Sequence, residues 1–504
     1  MRWWLGLCLS ITLAVGSGGP ARAQPAGQAA DQVGGLADSL DPLLDDPRLA
    51  GLTIGVAVRS AATGALLYDR GGAQRMAPGS NEKLLTTTAA LARLGPAYRF
   101  RTRVLADAPP RDGVVSGTLY LRGEGDPSLR PSRLEDLAAA TAAAGVTSVR
   151  GGLVADDSFF DQVRLGTDWS WQDETFAYAA PISALSLAPD ADLNTGSVQV
   201  DILPGASAGA PAQVGLQPPT GVLQLEAHVL TGPPGSPRQL SGQREHGTNR
   251  LVVAGTMPLD GRPAHPLFSV DDPTGYAADV FAAALARHGV RLGERAVRQA
   301  PTPAGAVELA ALDSLPLGEL LVPLLKLSNN PMAEMLTKTL GRRDADQGTW
   351  DAGLAVVRRF VATEGVDPAQ VQLVDGSGLS TSDLIAPDDL TALLVAVQSE
   401  PWFALWYAAL PVAGDAEHLV GGTLATRMQD TPAAGNVHAK TGTLATTSAL
   451  SGYVTTAAGE RLVFSIMDGG FVGAPPRQLE DAIAVSLASV PACLVACDAP
   501  DAAG

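Results

Sequence analysis

The sequence predicts a mixed α/β (α+β) fold with a large β-rich insertion. A hairpin pattern and a helix occupy residues 52–94, short strand-like runs separated by turn residues fill residues 101–273, and mixed helical and strand patterns then resume. We therefore expect one domain made of two pieces, about 24–100 and 275–492. The region between them, residues 101–274, is expected to be β-rich and to contain two subdomains.

Local residue patterns define the first hairpin and the helix after it. Residues 52–58 are apolar and β-branched, Thr63-Gly64 is a turn pair, and residues 65–68 resume the apolar run. Residues 81–94 have helical spacing and stop at a Gly-Pro pair. Ser80 is therefore predicted to lie at the N-terminal end of this helix.

The same patterns predict the remaining elements. Strand-like runs in the insertion are residues 117–121, 198–203, 223–230 and 251–253. Helical patterns after it are residues 276–288, 317–340, 350–364 and a helix from residue 387. Near the C-terminus, strands are predicted at residues 436–444, 449–454 and 461–467, followed by a helix at 482–490.

Length and charge limit the possible functions. The chain has 504 residues, 46% of them hydrophobic, which is enough for more than one core. Its formal net charge of −17 repels phosphate backbones and anionic lipid surfaces alike. We therefore expect no nucleic-acid partner.

The N-terminus has the three parts of a secretory signal. Arg2 supplies the positive start, residues 5–15 the apolar middle, and Ala21-Arg22-Ala23 a cleavage site. The apolar stretch is shorter than the roughly 20 residues of a membrane span. We therefore predict a signal peptide at residues 1–23, no stable span in the mature chain, and export to the periplasmic or extracellular, cell-wall side.

Two cysteines, Cys493 and Cys497, remain after this cleavage. Both lie in the C-terminal tail at residues 493–504. A local disulfide is one possibility in an oxidising compartment, and an unbonded pair is the other. A metal pair has little support, because no histidine cluster accompanies these cysteines and the six histidines show no zinc-peptidase spacing.

Lysine is scarce in this chain, which makes each lysine informative. Four lysines stand against 31 arginines. A desolvated lysine amine can lose its proton near neutral pH, whereas arginine cannot. The lysines are Lys83, Lys326, Lys338 and Lys440. Lys83 and Lys440 lie in chemical motifs, whereas Lys338 belongs to none.

Three short motifs occur in a fixed order. Ser80-Asn81-Glu82-Lys83 places a hydroxyl and an amine one helical turn apart, where the amine can activate the hydroxyl. Ser328-Asn329-Asn330 lies in the apolar helical stretch, and Lys440-Thr441-Gly442-Thr443 lies on a predicted strand. Each motif alone is weak evidence, but the ordered set is strong.

The ordered set resembles the penicillin-binding proteins and serine β-lactamases. Ser80 lies 248 residues before Ser328, and Ser328 lies 112 residues before Lys440. The long first interval is similar to that of the peptidase S13 type, the D-alanyl-D-alanine carboxypeptidase/endopeptidase group. The following segments also resemble that group: Met76-Ala77-Pro78-Gly79, Gly125-Asp126-Pro127-Ser128, Trp169-Ser170-Trp171-Gln172-Asp173 and Asp375-Gly376-Ser377-Gly378.

The resemblance implies a penicillin-binding, transpeptidase-like domain and a role for each motif residue. Ser80 would attack the carbonyl, Lys83 would accept its proton, and Ser328 would pass a proton to the departing D-alanine. Two further catalytic residues are implied: Asn330 would hold the substrate amide, and Lys440 would keep Lys83 deprotonated and attract the terminal carboxylate. The expected substrate-binding residues are Thr441, Gly442, Thr443 and Asp173. Backbone N–H groups of Ser80 and Thr443 would form an oxyanion hole. Which amine is the base in each half-reaction stays open.

The implied partners are peptidoglycan stem peptides and β-lactam antibiotics, with no metal or organic cofactor. Thr381-Ser382-Asp383 stands where family members often carry an arginine suited to an acidic peptide side chain. Binding of such a side chain is therefore in doubt, although Asp173 or Asp383 could meet an ammonium group.

Other polar and aromatic residues have two possible roles. Trp169, Trp171 and Tyr178 either line a cleft or pack in the core, and His438 is expected to be a solvated neighbour of Lys440.

Two alternative functions also stay open. One is a serine β-lactamase, disfavoured by the long insertion, and the other is an inactive wall-binding protein, disfavoured because the motif set is complete.

Overall fold

The computed structural model describes residues 26–293 and 297–491. Its helices are α1 (Ala26–Leu44), α2 (Glu82–Leu94), α3 (Pro131–Ala143), α4 (Pro273–Arg287), α5 (Leu317–Lys326), α6 (Asn330–Ala345), α7 (Trp350–Thr363), α8 (Pro387–Ala396), α9 (Phe403–Ala408), α10 (His418–Gly421) and α11 (Arg477–Ala488). The predicted signal peptide, Cys493, Cys497 and the C-terminal tail lie outside the described residues.

The strands follow the same chain order. They are β1 (Thr53–Ser60), β2 (Leu66–Arg70), β3 (Arg101–Ala106), β4 (Val114–Val115), β5 (Leu119–Gly123), β6 (Ser148–Val149), β7 (Leu153–Asp156), β8 (Ser197–Leu203), β9 (Gln213–Gln217), β10 (Gln224–Gly232), β11 (Gln239–Arg244), β12 (Arg250–Pro258), β13 (Leu267–Ser269), β14 (Arg291–Leu292), β15 (Arg298–Gln299), β16 (Val307–Asp313), β17 (His438–Thr443), β18 (Thr447–Thr455) and β19 (Arg461–Gly469).

One antiparallel sheet joins the two ends of the sequence. Its strand order is β17-β18-β19-β1-β2, so the N-terminal hairpin pairs with strands from the last 70 or so residues. Thr53 lies opposite Gly469, and Ser60 lies opposite Leu462. The predicted hairpin and the predicted C-terminal strands are therefore all present, and they form one sheet.

Both faces of this sheet are covered by helices. Along β19, Val463 and Met467 join the core that includes α2, α6 and α8, whereas Phe464 and Ile466 join the core beneath α1 and α11. This alternation follows from the two-residue period of a strand. The sheet is hydrophobic on both faces, and it provides the rigid support for β17, the strand that carries Lys440.

The inserted region forms a second group of sheets. A five-stranded sheet has the order β15-β7-β5-β3-β16, and three three-stranded sheets have the orders β13-β8-β9, β10-β12-β11 and β14-β6-β4. One apolar core lies under α3 and α4, and a separate one lies between β8, β10 and β12. That the inserted region contains two subdomains stays a prediction.

The pairing of β16 bears on where the insertion ends. Val307 lies opposite Ala106 and Asp313 opposite Arg101, so β16 completes the sheet that β3 begins. The predicted return to the parent domain at residue 275 stays a prediction. These contacts lead us to propose a later return, at about residue 314, just before α5.

Two local predictions differ from the structure. The helical stretch predicted at 317–340 is two helices, because the Asn329 side chain caps α6 at the Met332 N–H and Pro331 occupies its first turn. Helix α3 was not predicted, although Leu134, Leu137 and Thr141 have helical spacing and are buried. No helix among the described residues is both long and apolar enough to span a bilayer.

Candidate active site

Ser80 lies in a tight turn that leads into α2. The turn, Gly79–Asn81, is a 3-10 turn, and the Asn81 amide anchors it to the sheet by donating to Ser451 Oγ at 2.8 Å. A Cβ on Gly442 of β17 would lie 2.3 Å from the Pro78 carbonyl oxygen. Only glycine at this position lets the Lys-Thr-Gly strand approach the Ser80 turn this closely.

The Lys83 amine is fully buried and has three polar neighbours. Its Nζ lies 2.9 Å from Ser80 Oγ, 2.6 Å from Asn330 Oδ1 and 2.8 Å from the Ser377 carbonyl oxygen. A neutral amine has two N–H groups and one lone pair. The two carbonyl-type oxygens accept the N–H groups, so the lone pair is left for the Ser80 hydroxyl proton.

The surroundings of Lys83 favour this neutral form. Burial lowers the pKa of Lys83 from its ordinary 10.5 to about 7, against the opposing effect of the Glu334, Asp375 and Glu82 carboxyl groups. Burial in turn raises the pKa of Glu334 to about 7 and that of Glu82 well above its ordinary value. These raised pKa values favour the neutral form of both carboxyl groups, which weakens their stabilisation of a charged Lys83.

Ser328 lies at the break between α5 and α6. Its backbone φ of +60° is left-handed, a conformation that non-glycine residues adopt rarely and that is enriched at functional sites. Ser328 Oγ accepts from Lys440 Nζ at 2.8 Å. The break in the helix thus turns this hydroxyl toward the strand, and the next turn places Asn330 beside Lys83.

The Lys440 amine is also fully buried. It donates to Ser328 Oγ and, at 2.8 Å, to the Thr441 carbonyl oxygen. Burial lowers the pKa of Lys440 well below its ordinary value, and the charge of Lys83 lowers it further. The charge of Lys83 therefore disfavours that of Lys440, and each lysine has its own hydroxyl partner.

A cleft of about 580 Å³ opens over these groups. It is lined by Ser80, Ser328, Asn330, Asp173 and Thr443 of the predicted site and by further residues outside that set: Asp168, Ser170, Gln172, Tyr178, Gly378, Leu379, Thr381, Leu444 and Ala445. Lys83 and Lys440 lie beneath its floor, at 0% exposure. The Thr441 hydroxyl donates to Thr423 Oγ1, and Gly442 is buried against the Ser80 turn.

Asp375 organises the wall of the cleft, and sequence reasoning assigned it no role. Its carboxylate accepts from the backbone N–H groups of Ser377, Gly378 and Ser380 at 2.7 to 3.0 Å and from the Trp169 indole at 2.8 Å. These bonds fix the loop whose Ser377 carbonyl contacts Lys83. The Asp-Gly-Ser-Gly pattern, read as a turn, was the available signal.

Three side chains have surroundings that differ from their predicted ones. Asp383 is fully buried and accepts from the Val374 N–H at 2.6 Å, so the prediction that it could meet a substrate ammonium group is wrong. His438 is not a solvated neighbour but stacks on Tyr407 at 4.3 Å. Lys338 is fully buried, bonds to Asp161 and lies over the Trp350 ring at 3.7 Å.

The aromatic residues near the cleft divide between packing and lining. Trp169 packs edge-on against Trp350, whereas Trp171 is exposed and Tyr178 lines the cleft, donating to Asp173 at 2.7 Å. No group of three or more histidine, cysteine, aspartate or glutamate side chains within the described ranges is arranged to hold a metal ion.

Comparison with known sequences decides the family. Residues 36–490 match the profile of the D-Ala-D-Ala carboxypeptidase 3 (S13) family. The chain belongs to the S13 peptidase family. This S13 chain is 45% identical over 456 residues to a D-alanyl-D-alanine carboxypeptidase of an Actinomadura species, with 90% of this chain and 84% of that protein covered. The resemblance predicted from the motifs is confirmed.

A solved structure supports the same conclusion. The S13 chain is 26% identical to D-alanyl-D-alanine carboxypeptidase DacB of Haemophilus influenzae over 434 residues, which are 84% of this chain and 86% of that protein. The crystal structure of penicillin binding protein 4 (dacB) from the same organism matches with a TM-score of 0.75 at 25% identity, covering 90% of this chain and 98% of that one. The predicted fold class is confirmed.

The S13 chain is thus a penicillin-binding serine carboxypeptidase/endopeptidase of the D-Ala-D-Ala type. Both alternative functions lose support, since the relatives are carboxypeptidases and the five motif side chains, Ser80, Lys83, Ser328, Asn330 and Lys440, converge at one cleft.

Proposed function

We propose that this S13 peptidase cleaves before the C-terminal D-alanine of peptidoglycan stem peptides through an acyl-enzyme at Ser80. β-Lactam antibiotics acylate the same hydroxyl. The observation that carries the proposal is the 2.9 Å contact between Ser80 Oγ and the fully buried Lys83 amine. A buried amine with a pKa of about 7 is matched to the removal of a proton at neutral pH.

The acylation step follows from this contact. Ser80 Oγ attacks the carbonyl carbon of the penultimate D-alanine while its proton moves to Lys83 Nζ. The N–H groups of Ser80 and Thr443 stabilise the oxyanion. Two short approaches support this pairing, because a Cβ on Gly79 would lie 3.0 Å from Thr443 N and a Cβ on Gly442 would lie 3.2 Å from Ser80 N.

The leaving group requires a proton. We assign its delivery to Ser328, which passes the proton held by Lys83 to the nitrogen as the C–N bond breaks. The terminal carboxylate of the substrate raises the pKa of Lys440 and so favours its ammonium form. Water then attacks the ester, Lys83 accepts a proton from it, and Ser80 Oγ recovers that proton when the ester bond breaks.

Export is part of this proposal. The stem peptides lie outside the cytoplasm, and residues 1–23 have the composition of a signal peptide. We therefore propose a periplasmic or extracellular location. Fractionation of cells that express the full chain tests it, with mass spectrometry of the mature N-terminus; cleavage after Ala23 supports the proposal, and an intact chain in the cytoplasm contradicts it.

Product analysis tests the catalytic proposal. The purified protein is incubated with a stem pentapeptide and with a cross-linked dimer, and the products are identified by mass. Release of one D-alanine shows carboxypeptidase action, and splitting of the dimer shows endopeptidase action. Absence of both products from a protein that is folded by circular dichroism would contradict the proposal.

The pKa of Lys83 predicts the pH dependence of acylation. Since only the neutral amine accepts the Ser80 proton, the rate of acylation by penicillin is expected to rise with pH and level off with an apparent pKa near 7. Acylation rates measured between about pH 5 and pH 9 test this expectation. A rate that stays constant across this range would rule out titration of a base in the acylation step.

The charge of the cleft predicts its substrate preference. Two carboxylates, Asp168 and Asp173, line it, and Thr381 lies at its wall. No arginine or lysine among the described residues lines the cleft. We therefore expect weak selection for an acidic third-position side chain, below about tenfold in kcat/KM. Stem peptides with and without that carboxylate measure it. A preference above this value would show that a cation enters the site.

A further inference from the structure

A second cavity lies beside the active-site cleft. Its volume is about 760 Å³, and its walls are the loop at residues 171–176 and the strands β11 and β12. Gln172 lines both this groove and the cleft that holds Ser80. The two cavities are therefore neighbours with a common wall, and a ligand longer than the scissile peptide can extend from one into the other.

The groove presents exposed aromatic rings. Trp171 is 65% exposed and Phe176 is 43% exposed, and the Phe176 ring stacks on Tyr178 of the cleft with centroids 5.5 Å apart. Large aromatic side chains that are exposed together mark binding surfaces more often than isolated ones do. Phe176 lines the groove and Tyr178 lines the cleft, so this stacked pair of rings lies between the two cavities.

The cations of the groove are already paired within the protein. Arg244 is buried and bonds to Asp271 at 2.9 Å. Arg250 bonds to Glu226 at 2.8 Å, and His246 contacts Glu174 at 2.8 Å. An anionic ligand therefore finds no unpaired cation among these groups, which disfavours a second stem peptide with its carboxylates.

Apart from Glu245, which pairs with Arg250 at 3.4 Å, the remaining polar lining is neutral. Gln172, Gln243 and Ser241 offer amide and hydroxyl groups beside the aromatic rings. A flat aromatic surface next to uncharged hydrogen-bonding groups fits a pyranose, which has an apolar C–H face and a rim of hydroxyl and acetamido groups. A long polysaccharide fits this open groove better than a compact apolar ligand does.

We propose that this groove binds the glycan strand to which the stem peptide is attached, with a sugar ring stacked on Trp171. The inference rests on the proposed function, since it assumes that the peptide in the cleft comes from peptidoglycan. Stem peptides join the glycan at their N-terminal ends, opposite to the D-alanines. A glycan in the groove and a D-alanine in the cleft then belong to one substrate.

Binding to acylated protein tests the groove separately from the cleft. The protein is first acylated with penicillin, which blocks Ser80, and is then titrated calorimetrically with a tetrasaccharide of N-acetylglucosamine, an uncharged sugar of the glycan strand. We expect binding with a dissociation constant of about 1 mM or lower. Trp171→Ala is expected to weaken it by about tenfold, the size of a lost aromatic contact.

Controls separate this inference from the proposed function. Val472 is 99% exposed and lies outside the groove, so Val472→Ala should bind the tetrasaccharide as the unchanged protein does. Absence of binding, or equal binding by Trp171→Ala, overturns the groove proposal while penicillin acylation remains intact. Trp171-dependent binding of a sugar-free second stem peptide, with no binding of the tetrasaccharide, overturns it in favour of a peptide site. Failure of acylation instead contradicts the proposed function.

Discussion

A Ser80→Ala variant is expected to form no penicillin adduct and to lose peptide cleavage by at least about 10⁴-fold. The proposed reaction needs a hydroxyl activated by an amine, and Ser80 Oγ is the hydroxyl in contact with Lys83 Nζ. Ser328, the other serine of the motif set in contact with a lysine, bonds to Lys440 instead. Removal of one oxygen atom adds no bulk, so the fold should be unaffected.

Mass spectrometry measures the outcome. The unchanged protein should gain the mass of one antibiotic, and digestion should place the adduct on the peptide that contains Ser80. Ser399→Ala is the matched control, since Ser399 is exposed and bonds only to the nearby Ala396 carbonyl oxygen. Labelling of Ser80→Ala, or an adduct on a different peptide, contradicts the assignment. Rapid penicillin turnover without a lasting adduct would favour the β-lactamase alternative.

Lys83→Arg is expected to lower penicillin acylation and peptide cleavage together by at least about a hundredfold, the contribution of general-base catalysis. A guanidinium keeps the positive charge but presents no lone pair at usable pH. The two N–H groups of neutral Lys83 bond to the Asn330 and Ser377 oxygens, so its lone pair is available to the Ser80 hydroxyl. A Lys83 that only balanced charge would leave most activity in this variant.

The buried setting of Lys83 requires careful controls. Lys338 lies outside the motifs, but a substitution there is a poor control because the side chain is fully buried against Asp161 and Trp350. The exposed Arg75 serves better, and Arg75→Lys should keep full activity. Lys83→Met removes the amine without the bulk of arginine, so both Lys83 variants should lose acylation. Retained activity in a folded Lys83→Met would show that another group accepts the proton.

The motif residues could be predicted from the sequence because residue type and local spacing are enough to identify them. Ser80 and Lys83 are three residues apart on one helix face, a geometry that spacing alone determines. Scarcity of lysine selected Lys83 and Lys440 as candidate bases. The same reasoning missed Asp375, because its role depends on a hydrogen bond to a tryptophan 206 residues away and on the contact of its loop with Lys83.

Prediction of the helix boundaries reached a similar limit. Apolar periodicity continues through residues 317–340, so the pattern predicted one helix. The break at Ser328 depends on a left-handed residue and a capping side chain, and the cap is visible only once α6 is in place. That break decides which way the Ser328 hydroxyl points.

The sequence by itself determined the family, the mixed fold class and the candidate reactive side chains. Tertiary structure alone decided which groups meet and how strongly each is buried. Lys83 contacts Asn330 across 247 residues, and Lys440 contacts Ser328 across 112. The physical reason is that a pKa depends on desolvation and on neighbouring charges. Both are set by how distant segments pack, so burial beneath this cleft lowers the pKa of Lys83 from the ordinary 10.5 to about 7.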